Sequence, residues 1–238
     1  MTAGAVLAPA KLTVSLRVTG VRDDGMHLID AEMVSLDLAD TLTFAPGDSV
    51  RIDDVTGGPP IAAGADNLVA RALAAVGRTA EVTVAKRIPA GAGLGGGSAD
   101  AAAVLRWAGV DDLPLAASLG ADVPFCLVGG RAQVRGIGEV VEPLAFEPRT
   151  YTLLTPPFGC STVAVYRAWD ELGGPTDAGG NDLLPAALAV EPRLVEWRDR
   201  LGDETGVEPR LAGSGSTWYV EGAFPGGSRV VTKTIPAF

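Results

Sequence analysis

Apolar and polar positions alternate from Lys11 to Val18, with Leu12, Val14, Leu16 and Val18 on one side and Thr13, Ser15 and Arg17 on the other. A period of two puts successive side chains on opposite faces of a sheet, so this stretch is predicted as a strand, with Ala8-Pro9-Ala10 leading in. A Gly-Val-Arg-Asp-Asp-Gly turn follows, and the alternation resumes from His27 to Leu38 through Ile29, Ala31 and Met33. Thr41 to Phe44 and Val50 to Ile52 read as further short strands. The period then changes. Between Asp66 and Val76, Leu68, Val69, Leu73 and Val76 share one helical face, and Gly77 ends the run. Glu81 to Ile88 reads as a strand around Val82 and Val84. Ser98 to Trp107 is rich in Ala and reads as a helix, with Gly109 as its stop.

The pattern continues with an apolar run, Leu119 to Leu127, holding one carboxylate, Asp122, and a proline two residues on. Gly129-Gly130 leads into Arg131 to Arg135 and a Gly-Ile-Gly-Glu turn. The composition shifts near Glu147-Pro148-Arg149, which is taken as a boundary between a domain over 1–147 and a second over 148–238. Beyond it the pattern predicts a strand at Tyr151 to Leu154 and a turn at Pro156-Pro157-Phe158-Gly159. A helix capped by Ser161 follows, carrying Val165, Tyr166, Trp169 and Leu172. Asn181-Asp182-Leu183 opens another helix. A third covers Pro192 to Leu201, with proline in its first turn, and a final strand covers Thr217 to Val220. Several strands before the first helix argue for an α+β fold with a mixed or antiparallel sheet. No internal repeat or low-complexity tract interrupts it.

Between the strand ending at Ile88 and the helix starting at Ser98 lie five glycines within seven residues, Gly91 to Gly97. Glycine permits positive φ and lets a ligand approach the backbone amides, and a helix N-terminus favours an anion, most often a phosphate. A Walker loop is excluded because no lysine follows Gly96 or Gly97. Gly91, Gly93 and Gly96 satisfy G-x-G-x-x-G, with Asp111 at the distance of a ribose-binding acid, but no βαβ series surrounds them. A flexible glycine linker rarely sits between a clear strand and a clear helix. The remaining reading is a phosphate loop of another kind. Pro89, Gly93-Leu94-Gly95, Ser98 and Ala99 match in order the loop of the small-metabolite kinases that include galactokinase, homoserine kinase and mevalonate kinase, the GHMP superfamily, and the stretch resembles it.

Composition narrows the setting. The chain of 238 residues is 47% apolar but only 5% aromatic, which implies a core of small residues. A net charge of −10 argues against a nucleic-acid-binding surface and leaves any phosphate site to local amides and a few cations. Cys126 and Cys160 show no metal-ligand spacing and read as reduced thiols. No run approaches the length of a membrane span, so the expectation is a soluble, cytoplasmic protein.

Over nearly its full length the chain is similar to one branch of that superfamily, the 4-diphosphocytidyl-2-C-methyl-D-erythritol kinases. The elements that carry the resemblance are Ala8-Pro-Ala-Lys-Leu12, Asp24-Gly25-Met26-His27, the glycine loop with Ser98-Ala-Asp100, Gly120-Ala-Asp-Val-Pro-Phe125, Asn181-Asp182-Leu183 and Gly213-Ser-Gly215. The resemblance implies a two-domain GHMP kinase fold, with ATP in the first domain and the substrate in the cleft between domains. It implies transfer of the γ-phosphate to the 2-hydroxyl of a cytidine diphosphate-linked methylerythritol. Asp122 then looks like the catalytic base and Lys11 its partner. Read from the residues alone, Asp122 could equally be a helix or turn cap before Pro124, and Lys11 a solvated charge at a strand end. The loop, Pro89, Gly91, Gly93, Leu94, Gly95, Gly96, Gly97 and Ser98, is expected around the ATP phosphates, with Ser98 also near Mg²⁺ and with Asn67 and Lys86 toward the adenosine. On the substrate side the resemblance implies Thr13, Met26, His27, Tyr166, Gly213, Ser214 and Gly215. His27, the sole histidine, is similar to the residue that hydrogen-bonds the cytosine edge, and Tyr166 to an aromatic that stacks on it; ordinary helix packing beside Trp169 is the other reading of Tyr166.

The chain departs from this pattern at three places. Met26 stands where the family usually has Tyr, Thr13 where it has Asn, and Ala99 where it has a second Ser. A kinase of the same superfamily acting on a homoserine- or mevalonate-like alcohol is one alternative, which His27 in its motif argues against. A non-catalytic nucleotide-binding relative is another, which Lys11 and Asp122 together argue against. A monomer or homodimer with a small-molecule substrate, no nucleic acid and no membrane completes the expectation.

Overall fold

The computed structural model describes residues 4–58 and 60–238. The alternating stretches at the start form one long antiparallel hairpin, β1 (Ala5–Val21) and β2 (His27–Ala45), paired from Ala5 with Thr43 to Val21 with His27. The two strands expected at His27 and Thr41 are one, because β1 pairs across the intervening residues. β3 (Ser49–Asp54) follows, then α1 (Leu68–Ala75), β4 (Glu81–Lys86), and α2 (Gly96–Ala108). Two short helices, α3 (Leu113–Leu119) and α4 (Val123–Val128), precede β5 (Arg131–Gly136) and β6 (Val140–Pro143). Among the described residues these six strands form one mixed sheet. β3 is parallel to β4, and all other pairs are antiparallel, with β4 and β5 both lying along β2 on the edge away from β1.

The second sheet begins after Pro143. β7 (Thr150–Leu154) is followed by α5 (Thr162–Glu171), α6 (Leu184–Val190), α7 (Leu194–Thr205), β8 (Arg210–Leu211), β9 (Trp218–Glu221) and β10 (Val230–Lys233), with strand order β10-β7-β9-β8, all antiparallel. α3 was not expected from its short apolar pattern, although Asp112 caps it by accepting from the Leu115 amide at 2.9 Å and Pro114 sits in its first turn. α7 starts at Leu194 rather than Pro192, so the proline precedes the helix instead of occupying its first turn. The strands β6, β8 and β10 also escaped the pattern. Each has four residues or fewer and is defined by its partner.

The low aromatic content has a packing consequence. On α2, Ala99, Ala101, Ala102 and Ala103 are buried, and their small size lets the helix lie close against β1 and α1. The shared core runs on into the second half through Leu154, Val165, Leu183 and Trp218. Phe44 stacks on Trp107 with centroids 4.4 Å apart and planes 4° from parallel.

Irregularities of the β1–β2 register are where the two halves join. β1 carries an extra residue at Val14, and its carbonyl accepts from Tyr219 Oη at 3.0 Å and Arg210 Nη2 at 2.8 Å. β2 bulges over Leu36 to Leu38 opposite Ala10, and Asp37 in that bulge accepts from Thr232 Oγ1 at 2.5 Å and the Lys233 amide at 2.9 Å. A bulge leaves backbone groups unpaired within the ladder and so available to another element. The Asn181-Asp182-Leu183 segment makes the third join. It pairs with Leu16, whose amide donates to Gly180 O at 2.8 Å and whose carbonyl accepts from the Asp182 amide at 3.0 Å. The buried Asp182 carboxylate accepts from Arg17, from the Val18 amide and from the Asp177 amide. Asn181 Nδ2 donates to Leu211 O and Gly213 O. Asp182→Ala leaves these half-buried donors without their acceptor and is expected to cost about 2 kcal/mol of unfolding free energy in urea. A loss under about 1 kcal/mol, the net worth of one ordinary hydrogen bond, would mean that the other joins suffice.

Candidate functional site

A cleft of about 950 Å³ opens where the two halves meet. Its floor is the glycine loop. Gly91, Gly93 and Gly95 take φ of +68°, +76° and +68°, which side chains other than glycine adopt only under strain. A Cβ at Gly93 would also stand 2.3 Å from Ala212 O and 2.7 Å from Gly215 O, and one at Gly95 would stand 2.7 Å from Lys11 Cγ. The loop is held by its carbonyls. Gly91 O accepts from the Cys160 amide, Ala92 O from the Thr217 amide and Leu94 O from the Lys11 amide, at 3.2, 3.1 and 3.0 Å. Its amides are free: the N–H groups of Gly93 to Ser98 find no protein acceptor among the described residues. Consecutive unpaired donors at the start of α2 make an anion site, and the helix dipole adds to it. Ser98, expected as the first helical residue, lies in the first turn of a helix that begins at Gly96, and its side chain lines the cleft.

Lys11 reaches the loop from β1. It is 5% exposed, and its Nζ donates to Thr13 Oγ1 at 3.0 Å and lies 3.4 Å from Asp122 Oδ2. The strand-end reading of Lys11 fails on this burial. Asp122 occupies the residue before α4, yet its carboxylate makes no capping hydrogen bond there. It turns instead toward Lys11 and the cleft, with about a third of its side chain exposed. Thr13 in place of the family's usual asparagine thus supplies an oxygen that orients the lysine.

Three expected residues are engaged within the protein. Leu94 points into the core and is 1% exposed. Gly215 lies behind the loop, its carbonyl against Gly93, while Gly213 and Ser214 do line the cleft. The Lys86 ammonium is taken up within the protein, by Asp40 and by Asp100 at 2.7 Å. Asp40 also accepts from the Arg87 and Ile88 amides, so this buried triad fixes the chain on entry to the loop. Asp40 and Asp100 were not among the expected site residues. The available signal was an acid on the buried, alanine-lined side of α2. Burial pushes the Asp100 carboxyl up to about 7 against the pull of Lys86, since two carboxylates share one ammonium. Burial alone would lower the Lys86 ammonium, but Asp100 and Asp40 more than offset it, and its pKa is raised. Asn67 lines the cleft as the cap of α1, accepting from the Val69 amide and donating to Ala62 O. Pro89, Gly91, Gly96 and Gly97 complete that wall.

The opposite end of the cleft is aromatic. The His27 ring lies 4.6 Å from Tyr166 and 5.6 Å from Trp169, and its Nε2 is 2.8 Å from Asp170 Oδ1. Tyr166 therefore does more than pack beside Trp169. Burial, with the Asp122 charge as a smaller cause, raises its hydroxyl pKa and keeps it neutral. Met26, 44% exposed, stands beside His27 at the rim, its turn held by Asp24 accepting from the Met26 amide at 3.2 Å. Asp170 was missed by the sequence reading; it lies one helical turn after Tyr166.

The sequence profile of the GHMP kinases N terminal domain matches residues 67–130. The chain is 40% identical over 234 residues to the 4-diphosphocytidyl-2-C-methyl-D-erythritol kinase of Paracoccus denitrificans, covering 89% of this chain and 84% of that one. It is 36% identical over 255 residues to the kinase of the same name from Paramagnetospirillum magneticum, covering 92% and 89%. A crystal structure of 4-(cytidine 5'-diphospho)-2C-methyl-D-erythritol kinase superposes with a TM-score of 0.76 at 32% identity, over 97% of this chain and 99% of that one. A homoserine kinase from Cytophaga hutchinsonii shares the fold, with a TM-score of 0.53 at 18% identity over 98% of this chain and 95% of that one.

Two outcomes follow from this geometry. Gly95→Val places a branched side chain at φ +68° and against Lys11, and ATP affinity measured by calorimetry is expected to fall by on the order of tenfold or more while the far-UV spectrum is retained. Unchanged affinity would place the phosphates elsewhere. The second concerns pH. The folded Asp100 carboxyl titrates near 7 against 3.8 for an ordinary aspartate, so between those values the folded chain holds a proton that the unfolded chain has lost. This contribution to stability is complete below the lower value and is lost as pH rises through the upper one. Urea midpoints are expected to drop between pH 5.5 and pH 8, and Asp100→Asn to flatten that drop; equal slopes in both proteins would contradict the raised carboxyl.

Proposed function

Because the chain belongs to the 4-diphosphocytidyl-2-C-methyl-D-erythritol kinase family of the GHMP kinases, we infer that it transfers the γ-phosphate of ATP to the 2-hydroxyl of 4-diphosphocytidyl-2-C-methyl-D-erythritol, a step of isoprenoid precursor synthesis. The observation that carries the reading is the Lys11–Asp122 pair, 3.4 Å apart beside the row of unpaired loop amides. A sugar hydroxyl is a weak nucleophile, and a carboxylate placed to take its proton helps it attack. Asp122 receives that proton as the new O–P bond forms. The bond from the γ-phosphorus to the bridging oxygen breaks, and ADP leaves with the electron pair. Phosphoryl transfer demands positioning and charge stabilisation more than covalent chemistry. The amides of Gly93 to Ser98 hold the β- and γ-phosphates, and the Lys11 ammonium offsets charge on the transferring group.

Mg²⁺ fits this donor set. No cluster of three or more His, Cys, Asp or Glu that could hold a metal occurs among the described residues, and magnesium at phosphate sites commonly needs few protein oxygens beside the phosphates and water. The Ser98 hydroxyl, which has no hydrogen-bond partner among the described residues, would be the protein oxygen. Bound there, Mg²⁺ would draw charge from the β- and γ-phosphates.

Asn67 and the wall from Pro89 to Gly91 lie toward the adenosine in this reading, and Lys86 supports that wall from beneath. Thr13, Gly213 and Ser214 flank the reacting end of the substrate, and His27, Tyr166 and Met26 hold the cytosine. Ala99 is buried in α2, so the hydroxyl missing there is not one that would reach the phosphates. We take the domain boundary near Glu147; its support is the change of sheet between Pro143 and Thr150. No helix among the described residues is long and apolar enough to cross a membrane, and the charged, water-soluble substrates suit a cytoplasmic enzyme acting as a monomer or homodimer.

The deciding experiment is ADP release with the cytidine diphosphate substrate against a panel that includes homoserine and mevalonate. Turnover is expected with the cytidine compound alone. Asp122→Asn is expected to lower kcat by about a hundredfold or more, the scale of a general base, while ATP and substrate still bind. Near-normal turnover in that variant would make the carboxylate a structural group only.

A further inference from the structure

Asp170 lies in none of the motifs by which the chain resembles its relatives, yet it holds the only histidine in the chain. Thr162, Tyr166 and Asp170 are spaced four apart on α5, and all three face the cleft. The imidazole is confined around its faces and edge. Tyr166 lies 4.6 Å away at a tilt of 34°, and Trp169 meets it edge-on at 86°. Trp169 is itself anchored, its Nε1 donating to Pro175 O at 2.9 Å. The His27 side chain is only 11% exposed, so its orientation is set by these contacts rather than by water. Against Asp170, 2.8 Å away, the ring presents Nε2. An ionised carboxylate only accepts, so Nε2 carries the proton. In a neutral imidazole the other nitrogen, Nδ1, is then a bare acceptor.

We propose that Asp170 is a positioning residue that holds His27 with Nδ1 as an acceptor, and that this makes the cleft select a pyrimidine bearing an exocyclic amine, cytosine, over uracil. The proposal rests on the reading of the cleft as a cytidine diphosphate site. Cytosine offers the N4 amino group as a donor, and Nδ1 accepts from it. Uracil has a carbonyl oxygen at the same place, and two lone pairs then face each other in a partly desolvated site. A site built to pair with a polar group rejects the analogue that leaves its own group unpaired far more strongly than an apolar pocket rejects a missing methylene. Asp170 thus acts on specificity through His27 without touching the reacting atoms.

Because the chain has one histidine, imidazole ¹⁵N spectra of the labelled full-length protein contain a single ring. At pH 8 the wild type is expected to show the Nε2–H tautomer with Nδ1 unprotonated. Asp170→Asn, whose amide can donate to Nε2, is expected to shift the population toward Nδ1–H. Kinetically, Asp170→Asn should raise KM for the cytidine diphosphate substrate about tenfold, the scale of one lost hydrogen bond to a charged group, with kcat and the KM for ATP nearly unchanged. It should also shrink the preference over the uridine diphosphate counterpart by about the same factor, and Asp170→Glu should restore part of both. An Nδ1–H or doubly protonated ring in the wild type overturns the proposal, and so does a cytidine-to-uridine preference that Asp170→Asn leaves intact. Failure of the wild type to phosphorylate any cytidine diphosphate substrate would instead overturn the functional reading on which this rests, while the spectra would still decide the tautomer.

Discussion

The contact between β1 and the glycine loop is the constraint on which the rest of the site depends. Lys11 donates its amide to Leu94 O, and its aliphatic stem lies so close to Gly95 that no Cβ fits between them. The same residue sends its ammonium onward to Thr13 and Asp122. One strand position therefore fixes the loop and carries a charge into the cleft. The loop cannot satisfy its own amides. Its carbonyls are bound by Lys11, Cys160 and Thr217, which hold it from both halves of the chain, while the six N–H groups of Gly93 to Ser98 meet no protein acceptor among the described residues. A row of unpaired donors beside a cleft suits an anion, with water meeting it otherwise.

Charge is handled locally throughout. With a net charge of −10 the protein as a whole repels a nucleoside triphosphate, and the two lysines of the cleft are each held by an acid. Lys86 lies between Asp40 and Asp100 beneath the loop, and Lys11 lies beside Asp122. A buried triad of this kind contributes little net stability against a well-packed apolar alternative, but breaking it leaves an unpaired buried charge. Its effect here is geometric. Asp40 binds the ammonium and the two amides at the end of β4, so the strand can enter the loop in only one way.

The small-residue composition and the site belong to one design. Alanines on the buried face of α2 bring that helix close to β1, and this closeness places the helix N-terminus next to Lys11. The second half docks where the hairpin register breaks, at Val14 and at Asp37, and on the regular stretch of β1 at Leu16. The cleft lies between these joins, with the glycine loop on one side and α5 on the other.

Local periodicity determined most of the elements by itself. β1, β2, β4, α1 and α5 were legible from the period of their apolar positions, α2 from its run of alanines, and the glycine loop because only glycine suits three positions at positive φ. Lys11, Asp122, His27 and Tyr166 were legible as candidates through their motifs, and the structure gathers them around one cleft. Tertiary structure decided their partners. Lys86, expected toward the adenosine, lines the cleft, and only the fold shows that Asp40, 46 positions away, also binds it. His27 is an isolated ring until Asp170, 143 positions on, fixes its orientation. β6, β8 and β10 exist because neighbouring strands offer them hydrogen bonds, and the glycine loop is held by β1 and by the segment from Ala212 to Thr217. A hydrogen bond between residues far apart in the chain leaves no period in either segment, so those contacts become visible only once the sheets bring the segments together.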